Sequence, residues 1–171
     1  LLSINLGLVE REEAELAATK DVYSAAVVID QKMLTYKYNQ AVDFLSTFEG
    51  FTDKTVGTEL KMEYQIELYG KKRDFVAYID RLSMDDNGYI INDYKSKGKF
   101  GSKAEKEKYL RQLYIYSLSV KEKYGVFPYK LKFNHFRTKS ETVELFNENK
   151  LLQTLKWADN CVERIYNTEI F

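Results

Sequence analysis

One stretch of the chain alternates strictly between apolar and polar residues. Leu60, Met62, Tyr64, Ile66 and Leu68 are separated by Lys61, Glu63, Gln65 and Glu67. A period of two is the signature of a strand with one face in a core and one in water. Gly70-Lys71-Lys72 then predicts a turn. Residues 75–82 are apolar on both sides of Asp80, as in a central strand, where an acid is the exception. Residues 78–84 and 89–96 are rich in β-branched and aromatic side chains and flank Asp85-Asp86-Asn87-Gly88, so they predict a hairpin. A second strand pair is predicted at 129–137 and 142–146, joined across Lys139-Ser140.

Elsewhere the apolar period lengthens to three and four. Residues 6–19 are helical in composition, with Glu10, Glu12, Glu13 and Glu15 as a solvated acidic face. Residues 21–48 predict one long helix or two shorter ones, with Val22, Ala25, Ala26, Ile29, Met33 and Tyr36 as a core-facing stripe. Residues 49–56 read as a loop. Residues 105–124 predict a helix stopped by Gly125 and Pro128. Asn147 caps a last helix, 148–167, whose stripe is Leu151, Leu152, Leu155, Ala158, Val162 and Ile165. Trp157 reads as a packing residue of that helix. The elements predict an α+β fold, with a mixed central sheet of antiparallel hairpins flanked by helices. A length of 171 residues suits a single domain over 1–171. The chain opens on Leu rather than Met, which reads as an N-terminally truncated domain.

The hairpin carries the candidate chemistry. Asp93 and Lys95 share a strand face. If Asp86-Asn87 is the loop, partner numbers sum to 173 and Asp80 sits opposite Asp93. If Asn87-Gly88 is the loop, they sum to 175 and Asp80 sits opposite Lys95. Both registers put Asp80 on the face of Asp93 and Lys95. Two carboxylates on one sheet face repel unless something compensates them. Mg²⁺ does so with oxygen ligands, typically one or two carboxylates plus substrate phosphates. The bland alternative is three side chains in water at a sheet edge.

In sequence order, the segment resembles the PD-(D/E)XK nucleases, specifically their RecB-like branch. That branch has a G-x-x-D-R strand followed by a D-Y-K-[TS]-G-K strand. Here the strands read Ala77-Tyr78-Ile79-Asp80-Arg81 and Asp93-Tyr94-Lys95-Ser96-Lys97-Gly98-Lys99. A downstream Q-L-x-x-Y helix is matched by Gln112-Leu113-Tyr114-Ile115-Tyr116, and an upstream v-E strand by Met62-Glu63-Tyr64. The resemblance covers about residues 58–125. Ala77 stands where the branch has Gly. The helical His or Glu that the family carries ahead of these strands has Glu10, near Gly7, as its upstream candidate, because the sole His135 lies after them.

The resemblance implies a restriction-endonuclease-like fold and a Mg²⁺- or Mn²⁺-dependent deoxyribonuclease, an exonuclease of DNA repair, recombination or mobile-element DNA processing. It implies Asp80 and Asp93, with the Tyr94 carbonyl, as metal ligands and Lys95 as the catalytic amine. Glu63 and Gln112 would be secondary catalytic residues, and Gln112 and Tyr116, stacked four apart on the helix, would lie near the centre, with Tyr116 a DNA-binding residue. DNA is the implied partner, delivered by a helicase or recombinase. The reading from another class is a non-catalytic nucleic-acid- or protein-binding module on the same fold.

Composition narrows this further. The formal net charge is zero, so DNA must be met by a local basic patch. Residues 97–108 lack periodicity and carry Lys97, Lys99, Lys103, Lys106 and Lys108, which predicts a mobile basic arm with Lys97, Lys99 and Lys103 as phosphate contacts. Cys161 is the single cysteine. It excludes an internal disulfide framework and the four-cysteine iron–sulfur cluster of some RecB-like relatives, and it suits the reducing cytoplasm. Its apolar helical setting reads as a buried structural thiol, and His135, in phase with Leu131 and Phe133, as a packed core histidine. No apolar run of roughly 18 residues is present, so no membrane contact is expected.

Overall fold

The computed structural model describes residues 30–168. The chain divides into two compact units, Leu1–Gln40 and Ala41–Phe171. Of the first, only Asp30 to Gln40 is described. Asp30 caps helix α1 (Gln31–Ser46), its Oδ1 accepting the N–H groups of Lys32 at 2.9 Å and Met33 at 3.3 Å. Helix α1 has no buried residue, and Met33 and Tyr36 are exposed, in place of the predicted core stripe. The rest of that stripe, the predicted 6–19 helix and Glu10 lie outside the described residues.

The second unit is built on five strands in the order β1-β2-β3-β4-β5. β1 (Lys54–Leu68) and β2 (Lys71–Asp85) form a long hairpin. Its two-residue turn is Tyr69-Gly70, one place earlier than predicted, with φ of 52° and 66°. Positive φ at both loop positions is the twist that closes a tight hairpin. β1 also begins inside the predicted 49–56 loop. Lys54 to Thr58, with Val56 the one large apolar residue, give no alternation, and the strand there is defined by its partner, Lys54 facing Met84 and Thr58 facing Arg81. β3 (Gly88–Lys95) follows across Asp86-Asn87, with Asn87 N–H donating to Asp85 Oδ1 at 2.8 Å.

Helix α2 (Lys103–Tyr124) carries the chain over to β4 (Lys130–His135), which pairs parallel to β3, Ile91 with Leu131 and Lys95 with His135. A parallel pair requires such a crossover. Ser102 Oγ accepts from Glu105 N at 3.1 Å to start α2, and Gly125, at φ 79°, ends it. β5 (Ser140–Leu145) returns antiparallel to β4, and Asn147 caps α3 (Glu148–Asn167). The sheet is mixed and the fold α+β, as the pattern predicts.

The core lies between α2, α3 and the sheet. It joins Met62, Tyr64, Ile66, Ala77 and Ile79 to Leu110, Leu113, Leu131, Phe133 and Leu151. Two apolar members of the predicted α3 stripe, Leu152 and Ile165, are exposed, while Thr154 is buried. Leu152 is one residue, and so about 100°, around the helix from Leu151. Cys161 is half-buried. Trp157 is 41% exposed, and the Arg111 guanidinium lies 4.6 Å over its ring, so it is a surface stacking residue rather than a core one. β2 is also less central than predicted, since Val76 and Tyr78 are 50% and 57% exposed. Burial on both faces begins only at Arg81-Leu82-Ser83. No described helix is long and apolar enough to cross a membrane.

Candidate functional site

The β2–β3 ladder runs from Asp85–Gly88 to Arg81–Asn92 and stops there. Partner numbers sum to 173, so Asp86-Asn87 is the loop and the next residues along, Asp80 and Asp93, stand at the fork where the strands part. The fork is not left as bare backbone. Asp80 Oδ2 accepts the Tyr94 N–H at 2.8 Å, so a side chain takes the donor that the ladder no longer uses.

Asp93 is buried, and its carboxylate faces the Lys95 ammonium at 2.7 Å from Oδ2. That ion pair is the one contact Oδ2 makes among the described residues. Burial raises the Asp93 pKa. Lys95 opposes that rise, Asp80 adds to it and His135 opposes it, and the balance stays upward. Lys95 is held on its other sides by aromatic rings, with Nζ 4.8 Å from the Tyr109 centroid and 5.6 Å from that of Phe133. Asp80, Asp93 and Lys95 thus converge at one end of the sheet, in a setting that disfavours ionised Asp93 unless more positive charge is brought to it.

A divalent cation fits that setting. The Asp93 carboxylate, whose Oδ2 is held by Lys95 alone, and the Asp80 carboxylate are hard oxygen donors. Among the described residues no three His, Cys, Asp or Glu side chains gather at one point. A cation would therefore rest on these two carboxylates, the number Mg²⁺ typically takes when substrate phosphates complete its shell. The Tyr94 main chain lies beside Asp80 through its N–H, while the Tyr94 ring lines a cleft with Phe51, Asp53, Lys132 and Asn134.

The remaining predicted residues lie further out. Glu63 is exposed, pairs in register with Val76 and holds Lys61 Nζ at 2.5 Å. Val76 is four residues along β2 from Asp80, roughly 13 Å at strand rise. Glu63 therefore points into water away from the fork, and Glu63→Ala is expected to leave stability within about 0.5 kcal/mol, as read by thermal melting. Gln112 is exposed and donates to Tyr116 Oη at 2.7 Å. The two lie one and two turns along α2 from Tyr109, on the face that starts at Lys95.

The lysine arm is not the free loop that its composition predicts. Lys97 is paired with Glu105, whose Oε2 also accepts the Gly101 N–H at 2.6 Å. These two contacts hold the Glu105 carboxyl below its ordinary pKa. The Lys97 carbonyl meets His135 Nδ1 at 3.2 Å, and Thr138 Oγ1 donates to the Gly98 carbonyl. Lys106 is engaged by Glu144 at 2.9 Å. Lys99 and Lys103 are exposed, Lys103 on a cleft between α2 and α3 with Arg111 and Trp157. His135 is packed as expected, 1% exposed, with Nε2 3.0 Å from Thr142 Oγ1 and its ring edge-on to Phe100.

Sequence reasoning missed two features of the site. Tyr109 borders Lys95, which no spacing rule reveals. Arg81, beside Asp80, is fully buried on the other face of the sheet, bonded to Asp53 and Thr55. A charged residue inside an apolar strand was the available signal.

No curated protein matched the chain. Among solved structures, the crystal structure of SSO0001 is 17% identical, aligned over 94% of this chain and 69% of that one, with a TM-score of 0.42. The family model of the PD-(D/E)XK nuclease superfamily matches residues 6–170, and the chain belongs to that superfamily.

Proposed function

We propose that this protein is a RecB-like, Mg²⁺- or Mn²⁺-dependent DNA phosphodiesterase that works as an exonuclease in repair, recombination or mobile-element DNA processing. Members of the superfamily are typically nucleases acting on DNA, and they generally use divalent metals such as Mg²⁺. The observation that carries the reading for this chain is the meeting of Asp80, Asp93 and Lys95 at the β2–β3 fork, with the buried Asp93 carboxylate held by Lys95 alone.

Asp80 and Asp93, with the Tyr94 carbonyl, would hold the cation. When bound, it supplies Lewis-acid polarisation of the scissile phosphate and a water of lowered pKa. Lys95 Nζ orients the attacking water and balances the charge that grows on the phosphate oxygens. Tyr109 and Phe133 limit where the ammonium sits. Lys99 and Lys103 offer exposed positive charge to the DNA backbone, and a helicase or recombinase would present the strand. The test is cleavage of end-labelled linear and closed circular DNA with Mg²⁺ or Mn²⁺, wild type beside Asp93→Ala and Lys95→Ala. Linear DNA is expected to be shortened by wild type alone while circles persist. Equal cleavage by all three proteins removes these residues from the reaction.

The rival reading, a binding module without chemistry, is favoured by one observation. Two of the arm's five lysines are already neutralised, Lys97 by Glu105 and Lys106 by Glu144. Calorimetry separates the readings, because a module without a site shows no Mn²⁺ binding that depends on Asp80.

A further inference from the structure

Behind the two carboxylates, on the opposite face of the sheet, lies a buried polar cluster that the proposed chemistry does not use. Arg81 follows Asp80 and Asn92 precedes Asp93, so in each strand the neighbour of a carboxylate points the other way. Arg81 and Asn92 are 1% and 0% exposed and form the last rung of the ladder before the fork. The Arg81 Nη2 donates to Asp53 Oδ1 at 2.5 Å and to the Asp53 carbonyl at 3.1 Å, and its Nε donates to Thr55 Oγ1 at 2.9 Å. The guanidinium carbon lies 3.6 Å from the Phe51 ring centroid. Asp53 Oδ2 accepts from Ser83 Oγ at 2.6 Å, and Asn92 Nδ2 reaches Ser83 Oγ at 2.8 Å and the Arg81 carbonyl at 3.3 Å. The cluster therefore ties β2 to β3 by side chains at the rung where backbone pairing ends, and it anchors both to the segment that leads into β1.

Such a cluster is an expensive way to hold a sheet together. Arg81 Nη1 is buried without a partner, and a buried ion pair is often no better for stability than apolar residues of the same volume. What directional bonds add is position. Asp80 and Asp93 each adjoin, along the backbone, a residue that the cluster holds.

We propose that the buried Asp53–Arg81 pair, with Ser83 and Asn92, positions the two carboxylates by fixing the spacing of the β2–β3 fork. Arg81 and Asp53 are positioning residues, since neither touches the place where phosphate or cation would sit. The inference rests on the reading of Asp80 and Asp93 as metal ligands. Supporting partners of metal ligands commonly change metal affinity by about tenfold or more when removed.

The first measurement is made on the metal-free protein. Amide hydrogen exchange is followed for Tyr94, whose N–H is bonded to Asp80 Oδ2 at the fork, and for Leu131 in β4 as an internal reference. In Asp53→Asn the Tyr94 amide is expected to exchange about tenfold faster relative to Leu131. In Thr55→Val, an exposed position whose loss removes one bond to Arg81, a smaller change in the same direction is expected. The second measurement is Mn²⁺ calorimetry, where Asp53→Asn is expected to weaken binding about tenfold. A variant in which Tyr94 and Leu131 speed up together, or not at all, overturns the positioning role, and Thr55→Val decides the matter if Asp53→Asn does not fold. Wild type without any Mn²⁺ binding would instead overturn the ligand assignment, and the exchange ratio would still report on the fork.

Discussion

Replacing Lys95 with Ala is expected to lower the rate of DNA cleavage by about a hundredfold to ten-thousandfold, the range of a positioned group that moves or orients a proton, while Mn²⁺ binds at least as tightly as to wild type. The two halves of that result have one cause. The Lys95 ammonium lies 2.7 Å from Asp93 Oδ2 and is 18% exposed, so it occupies space and cancels charge where a cation would bind. Removing it frees the carboxylate for metal and at the same time deletes the group proposed to orient the attacking water. The rings of Tyr109 and Phe133 bracket a compact ammonium on a flexible stem. A planar guanidinium presents its donors in a fixed fork, so Lys95→Arg is not expected to restore the rate. Single-turnover cleavage at saturating Mn²⁺, beside a Mn²⁺ titration of each protein, reads both quantities. A Lys95→Ala protein that cleaves like wild type shows that the amine takes no part.

The shared face of Asp80, Asp93 and Lys95 was legible in the sequence for a geometric reason. An even loop keeps Asp80 in phase with Asp93 and Lys95 whichever two residues form it, and the observed loop, Asp86-Asn87, is one of the two expected. The fold was legible for a similar reason, because alternation at Leu60 to Leu68 and the stop at Gly125 are local signals. What was not legible depends on distant partners. Asp53 reaches Arg81 across 28 residues, from a stretch whose composition reads as loop. The lysines of residues 97–108 look free because neither Glu105 beneath Lys97 nor Glu144 beside Lys106 is signalled by spacing. In α3, choosing stripe members by apolarity alone placed Leu152 inside and overlooked Thr154, whose hydroxyl bonds the Lys150 carbonyl at 2.8 Å and so can be buried. Chain pattern reports which face a residue takes; it does not report which charge meets it there.

Asp93→Asn is expected to abolish cleavage and Mn²⁺ binding and, without metal, to melt at a higher temperature than wild type. Burial is the largest influence on the Asp93 carboxyl and pushes its pKa up, Lys95 only partly offsetting it and Asp80 adding to it. A carboxyl whose folded pKa lies above its unfolded value of about 3.8 favours folding below that value, and the contribution disappears as pH rises through the folded pKa. At neutral pH the metal-free wild type therefore holds a buried anion at a cost that an asparagine of the same shape avoids, while Lys95, the more exposed member of the pair at 18%, keeps water of its own when its partner is neutral. For a chain of this size each kcal/mol recovered corresponds to roughly 2–4 °C in Tm. The gap between the two proteins is expected to be small in acid and to open as pH rises past the unfolded carboxylate value. The other shifted carboxyls, Asp53, Asp85, Glu105 and Glu144, have lowered pKa values and lose stability as pH falls. They do so in both proteins and cancel in the difference. Excess Mn²⁺ then raises the Tm of wild type alone, because a ligand stabilises only the state that binds it, and the order of the two melting curves narrows or inverts. An Asp93→Asn protein that melts below wild type at neutral pH without metal would show that the pair with Lys95 outweighs the cost of burying the anion, and would overturn this prediction.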